Sequence, residues 1–167
     1  MKKNIILILY FIIILNGILF ANDEAARSPN GINLPAGYKD WRVVALSQRE
    51  DNKTLRVIIG NDTAIKAVRD GKTNPWPDGS ILAKIVWKNK NHEKWEKAIV
   101  PGEFVHVEFM VKDSQKYKET GGWGFARWIG LEQKPYGENS SFVNECFNCH
   151  KPVKDNDYVF TSPALMP

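Results

Sequence analysis

Trp76-Pro77-Asp78-Gly79-Ser80-Ile81-Leu82-Ala83-Lys84-Ile85-Val86-Trp87 opens as a cluster of turn residues and runs without a break into apolar, β-branched positions. Proline, aspartate and glycine punctuate the backbone, and the stretch from Ile81 to Trp87 reads as a strand. Alternation puts Ile81, Ala83, Ile85 and Trp87 on one side and Leu82, Lys84 and Val86 on the other. A strand apolar on both sides is predicted to be covered on both. Lys84 interrupts the second side. In a covered strand, burial disfavours the ammonium form and predicts a neutral, nucleophilic amine. On an edge strand the same side chain snorkels into water and discourages edge-to-edge association. Periodicity alone supports both readings.

Working outward toward the N-terminus, Trp41 to Leu46 and Leu55 to Ile59 are short apolar runs separated by polar residues 47–53, which suits two antiparallel strands. Asn61 or Asp62 caps a helix whose apolar stripe is Ala64, Ile65, Ala67 and Val68, and Gly71 ends it. Toward the C-terminus, residues 89–97 read as a charged exposed loop carrying His92, and Pro101-Gly102 turns the chain into a strand from Phe104 to Val111. That strand alternates cleanly, with Val105, Val107, Phe109 and Val111 opposite His106, Glu108 and Met110. Asp113 caps a short helix through Lys118, which Gly121-Gly122 breaks. A further strand from Trp123 to Leu131 sets Trp123, Phe125, Arg127 and Ile129 against Gly124, Ala126, Trp128 and Gly130. Its small residues either admit a flat cofactor or let a neighbouring backbone approach. Residues 134–139 form a loop, Ser140 or Ser141 caps a final helix, and Pro152 stops it. After it, Tyr158-Val159-Phe160 is an apolar segment able to fold back as a cover. The fold class is α+β: mainly antiparallel β-sheet with a few short helices, in a single domain whose last helix lies near the C-terminus.

That last helix carries Cys146-Phe147-Asn148-Cys149-His150, the C-x-x-C-H attachment signature of a c-type haem. Residues three apart on a helix share a face, so both thiols reach one edge of a porphyrin while the next residue turns its imidazole toward iron. The cofactor expected is one covalently attached haem c, with Cys146, Cys149 and His150 binding it and His150 as the iron ligand. A thioredoxin-type redox C-x-x-C would need a βαβ context, which the strand pattern lacks. A structural zinc site would have to recruit His92 and His106 from unrelated segments.

At the other end, Lys2 and Lys3 precede an apolar run from Ile5 to Leu15, and Leu19-Phe20-Ala21 resembles a cleavage site, which together read as a signal peptide over residues 1–21. Asn16 and Gly17 interrupt the run before it reaches the length of a membrane span, and an uncleaved anchor is the alternative. The protein is therefore expected in the periplasm. Residues 22–35, rich in Ala, Asn, Gly and Pro, read as a flexible leader, and residues 36–167 as the haem domain. Cleavage after Ala21 leaves 167 minus 21, or 146, residues, enough for one core. It also lowers 23 basic side chains to 21 against 19 acidic ones, interspersed along the chain. Neither a polybasic stripe nor an acidic tail results, so no nucleic-acid partner is expected.

Three stretches together resemble the cytochrome P-460 family: Pro35-Ala36-Gly37-Tyr38-Lys39-Asp40-Trp41, the run from Trp76 to Lys84, and Cys146 to His150 followed by Asp157-Tyr158-Val159-Phe160-Thr161. The resemblance implies periplasmic mono-haem proteins with an antiparallel-sheet fold, commonly homodimers. It also implies that a lysine, falling here on Lys84, bonds to a meso carbon of the haem, and that the iron is held by the motif histidine with its opposite side open.

Two functional classes follow from it. As an enzyme, the protein would oxidise hydroxylamine, with Lys84 in the catalytic machinery, Glu108 or Glu132 as a distal proton acceptor, and a redox partner cytochrome taking the electrons. As a binding module resembling the c′-beta cytochromes, it would capture nitric oxide or carry electrons without the cross-link, in a pocket lined by Phe109 and Phe125. A third reading, a six-coordinate electron carrier, needs His106, Met110 or Met166 to close the iron. Arg56 and Arg127 are possible partners for haem propionates.

Overall fold

The computed structural model describes residues 25–165, so the signal peptide read at 1–21 and Met166 lie outside the described residues. Six strands form one antiparallel sheet in simple chain order: β1 (Arg42–Arg49), β2 (Thr54–Gly60), β3 (Ile81–His92), β4 (Trp95–Lys112), β5 (Trp123–Ile129) and β6 (Lys134–Pro135). Two helices accompany them, α1 (Asp62–Arg69) between β2 and β3, and α2 (Val143–His150) after β6. Each strand pairs with the next, so every connection is local. The α+β expectation holds. Among the described residues no helix is long and apolar enough to cross a membrane.

Local chemistry sets the element ends. The Asn61 side chain accepts a hydrogen bond from Ala64 N–H at 3.0 Å and so caps α1, and Gly71 follows its end in a left-handed conformation. At α2 the sequence reading needs correcting. Neither Ser140 nor Ser141 caps it. Asn139 accepts from Ser141 N–H at 2.9 Å, a 3-10 turn over Ser140–Phe142 follows, and α2 continues from it directly.

The hairpin between β3 and β4 is the largest departure. Residues 89–97 are not a loop, and Pro101-Gly102 is not a turn: β3 and β4 continue as a paired ribbon to His92 and Trp95. The pairing shifts register near Trp87, and Gly102 sits where an added Cβ would lie 3.0 Å from the Lys88 carbonyl oxygen. A glycine at such a spot marks close backbone approach rather than chain reversal, and proline is tolerated because this end of β4 has no partner on its second side. The helix expected after Asp113 is smaller than expected. Asp113 accepts from the Gln115 and Lys116 N–H groups, but the 3-10 turn proper covers Lys118–Thr120.

Both faces of the sheet are covered. One holds Tyr38, Ile59, Ala83, Val107, Phe109, Ala126 and Trp128 in an aromatic core. Residues 25–41 lie over it: Ile32 is buried, Trp128 Nε1 donates to the Ala26 carbonyl at 3.0 Å, and Asn30 Nδ2 donates to the Phe125 carbonyl at 2.7 Å. The stretch read as a flexible leader is thus anchored from Ala25 onward. The other face packs against α1, α2 and the chain after them, with Leu82, Trp123, Phe125 and Val159 in its core. Gly124, one of the small residues offered as room for a cofactor, faces the Tyr117 ring instead, which an added Cβ would meet at 2.5 Å. Aromatic packing explains that glycine.

Candidate functional site

Antiparallel register turns the alternation of single strands into rows across the sheet. On the face toward α2, Ile58 on β2, Lys84 on β3, Glu108 on β4 and Arg127 on β5 are successive cross-strand neighbours. The next row is Gly60, Leu82, Met110 and Phe125, and on the other side Arg56, Val86 and His106 follow one another. A charged row therefore lies beside an apolar one. β3 is a central strand, so the edge-strand reading of Lys84 is excluded.

A cavity of about 840 Å³ opens between this face and the α2 segment. Lys84, Glu108 and Arg127 line its sheet side, and Cys146, Cys149 and His150 its helix side. Its size lies within the roughly 300–1,000 Å³ typical of cofactor pockets. A smaller hollow of about 290 Å³ on the hairpin, from Lys90 to Val100, contains none of these groups.

Lys84 Nζ forms an ion pair with Glu108 Oε2, and its side chain is about one-third exposed, at 31%. Glu108 also meets Arg127 Nε at 2.7 Å and His106 Nε2 at 3.4 Å. Burial pushes its carboxyl up, but Lys84 and Arg127 together outweigh burial and hold it at about 2. Burial, with smaller contributions from Arg127 and Lys84, lowers His106 to about 4 against the pull of Glu108, so this imidazole is neutral at pH 7. Glu132, the other carboxylate read as a proton acceptor, is exposed and does not line the cavity.

His150 is oriented from the backbone. Its Nδ1 lies 2.6 Å from the Tyr158 carbonyl oxygen, which only accepts, so Nδ1 carries the proton and Nε2 keeps the lone pair that can bind a metal. Phe125 and Phe160 flank the ring, each with its centroid 5.2 Å away. Burial lowers the imidazole's pKa and keeps it in the ligating neutral form. Cys146 and Cys149 are free. Burial pushes the Cys146 thiol up to about 11. Among the described residues no three His, Cys, Asp or Glu side chains converge to hold an ion. A porphyrin brings the equatorial ligands itself, and two thiols, one lone-pair imidazole and an apolar wall of Phe125, Leu82 and Met110 suit it.

The sequence matches the family model described as Cytochrome P460 over residues 35–161. The chain belongs to the cytochrome P460 family. The matched span begins at the Pro35 and ends at the Thr161 that bound the three quoted stretches. No curated protein sequence matches it. Membership makes haem the cofactor and the protein a mono-haem cytochrome.

Sequence reasoning singled out Lys84, Cys146, Cys149 and His150, and the fold brings all four to this one cavity. Phe125 lines it as expected, while Phe109 belongs to the opposite core even though it borders the space. Arg127 is committed to Glu108 on one side and lies 3.7 Å from Glu145 on the other, so of the two arginines suggested for propionates only Arg56 borders the cavity with no carboxylate within ion-pair distance among the described residues. Arg49 also borders it and was missed; it pairs with Asp51. The Tyr158 carbonyl was missed as well. A backbone acceptor leaves no mark in residue type.

Proposed function

We propose that this cytochrome is exported, carries one haem bonded to Cys146 and Cys149 with His150 as its axial ligand, and oxidises hydroxylamine in the cavity beneath α2. The haem, when bound, supplies an iron that accepts electrons from a small nitrogenous substrate and passes them to an acceptor. The chain's residues bind, orient and handle protons. The observation that carries the oxidase reading is the Lys84–Glu108 pair in the cavity. Oxidising hydroxylamine releases protons with the electrons, and Glu108 is an ionised carboxylate that lines the cavity. Lys84 is the lysine that borders the cavity, as the cross-link implied by the family resemblance requires. A haem bonded to that amine would take it out of its ion pair with Glu108. Glu108 then loses its nearest cation and gains proton affinity.

One observation favours a second reading. With Lys84 unbonded and paired to it, Glu108 held at about 2 is a poor proton acceptor, which suits a member that binds nitric oxide without a cross-link. The C-x-x-C-H motif and the apolar N-terminal run support periplasmic export, and a homodimer delivering electrons to a partner cytochrome completes the reading.

The test is an absorption spectrum of the reduced, haem-loaded protein beside an intact mass, for wild type and Lys84→Ala. The oxidase reading expects a red-shifted Soret band and a mass about two hydrogens below the simple haem adduct, both lost in the variant. An ordinary high-spin haem c spectrum that the substitution leaves unchanged would remove the cross-link and leave the gas-binding reading.

A further inference from the structure

The C-terminal segment that orients His150 is itself held by a buried ion pair. Lys112, the last residue of β4, is 6% exposed and Asp157 is 8% exposed. Lys112 Nζ donates to both carboxylate oxygens, at 2.7 and 2.8 Å, and lies 4.9 Å from the centroid of the Trp123 ring, its ladder partner on β5. Two more bonds converge on Asp157: the Trp76 N–H donates to Oδ2 at 2.8 Å, and Trp123 Nε1 donates to the Asp157 carbonyl at 2.8 Å. Three separate parts of the chain therefore fix one residue. Buried charges are expensive unless paired and hydrogen-bonded, and this pair is both.

The pair does more than hold a tail in place. Asp157 and Tyr158 have φ values of 48° and 63°, two successive left-handed residues neither of which is glycine. That conformation is disfavoured, more so for tyrosine, and persists only where the surroundings impose it. Here it turns the Tyr158 carbonyl onto His150 Nδ1, 2.6 Å away. The Tyr158 ring meanwhile sits over Gly121, where an added Cβ would lie 2.2 Å from it. The hydrogen bond made by the non-ligating nitrogen of an axial histidine sets its tautomer, orientation and basicity.

We infer that Lys112, Asp157 and Trp123 are positioning residues for the axial ligand: by fixing the Asp157-Tyr158 turn they set the strength of the His150 Nδ1–H hydrogen bond to the Tyr158 carbonyl, and through it the electron donation of His150 to iron. This inference rests on the reading of His150 as the haem ligand. None of the three residues touches the cofactor cavity, so their effect is transmitted through the backbone.

The experiment uses haem-loaded protein and two readouts, the iron–histidine stretching band of the ferrous form by resonance Raman and the midpoint potential. The variants are Lys112→Met/Asp157→Asn, which removes both buried charges together, and Trp123→Phe, which removes the indole donor and part of the buried ring while both charges stay. Circular dichroism and melting identify which variants are folded. The expected result is a lower band frequency and a more positive potential in the double variant, with smaller shifts of the same sign in Trp123→Phe. Should the double variant not fold, Trp123→Phe decides by the same two readouts. Unchanged band and potential in a folded variant would overturn the inference. A wild type with no iron–histidine band would instead refute the ligand assignment, and the inference with it.

Discussion

The two faces of the sheet are made by the same strands and have opposite characters. On one, Tyr38, Phe109 and Trp128 meet edge to face, with ring centroids 5.3 and 5.6 Å apart, under a lid formed by residues 25–41. On the other, Lys84, Glu108 and Arg127 form a charged row beside Leu82, Met110 and Phe125. The difference teaches how a small cytochrome separates tasks. Aromatic packing fills one side, while the other combines an apolar core with charges that border a cavity.

The aromatic face is where the largest loss is expected. Trp128 is fully buried, and Trp128→Ala removes its packing and the bond to the Ala26 carbonyl, at a cost of about 3–5 kcal/mol. A fall in Tm of roughly 10 °C or more, with the haem spectrum of the remaining folded protein unchanged, would support the division of labour. A small fall would break it.

Acid sensitivity should belong to the charged face. Glu108 has a folded pKa of about 2 against 4.5 for the free group, so its contribution is complete above about 4.5 and is lost as pH falls through about 2. That contribution is about 3 kcal/mol. His106, lowered from 6.5 to about 4, adds to the loss between those two values, because the unfolded chain takes up that proton first. Denaturant titrations of wild type and Glu108→Gln should therefore differ at pH 6 and converge near pH 2. Parallel curves at both would place acid sensitivity elsewhere.

A smaller effect is expected at Gly121, whose φ is 67° and whose missing side chain makes room for the Tyr158 ring. Gly121→Ala should destabilise by about 1–3 kcal/mol and shift the haem spectrum, since Tyr158 carries the His150 contact. Stability lost without a spectral change would separate the tail's packing from its role toward haem. At the bottom of the range is the exposed Arg42–Asp62 pair, in which Asp62 is 98% exposed. Asp62→Ala should leave melting temperature and spectrum as they were.

Much of the fold could be read in advance where alternation is strong. β1, β2, the start of β3 and β5 fall close to the positions that apolar periodicity marks, and Asn61 caps α1 as its residue type suggests. The ribbon from Lys88 to Gly102 could not, because its polar, charged residues resemble a loop whenever both faces of a strand meet water. At the site, the trio proposed to bind haem is marked in the sequence, since its chemistry lies in residue type and spacing. The partner of Lys84 is not, because Glu108 stands 24 positions away and becomes its neighbour only through the β3–β4 register.

By itself, then, the sequence determined the alternation that makes an antiparallel sheet, the three residues able to hold a haem, and the presence of a lysine on an otherwise apolar strand. Those are properties of residue identity at short range. Only the tertiary structure decided that the lysine is paired and that His150 presents Nε2. It also decided that Lys112 and Asp157, 45 positions apart, close over the turn that aims the Tyr158 carbonyl. Register and long-range closure set which charges meet, and these depend on how whole elements pack together rather than on any single stretch of sequence.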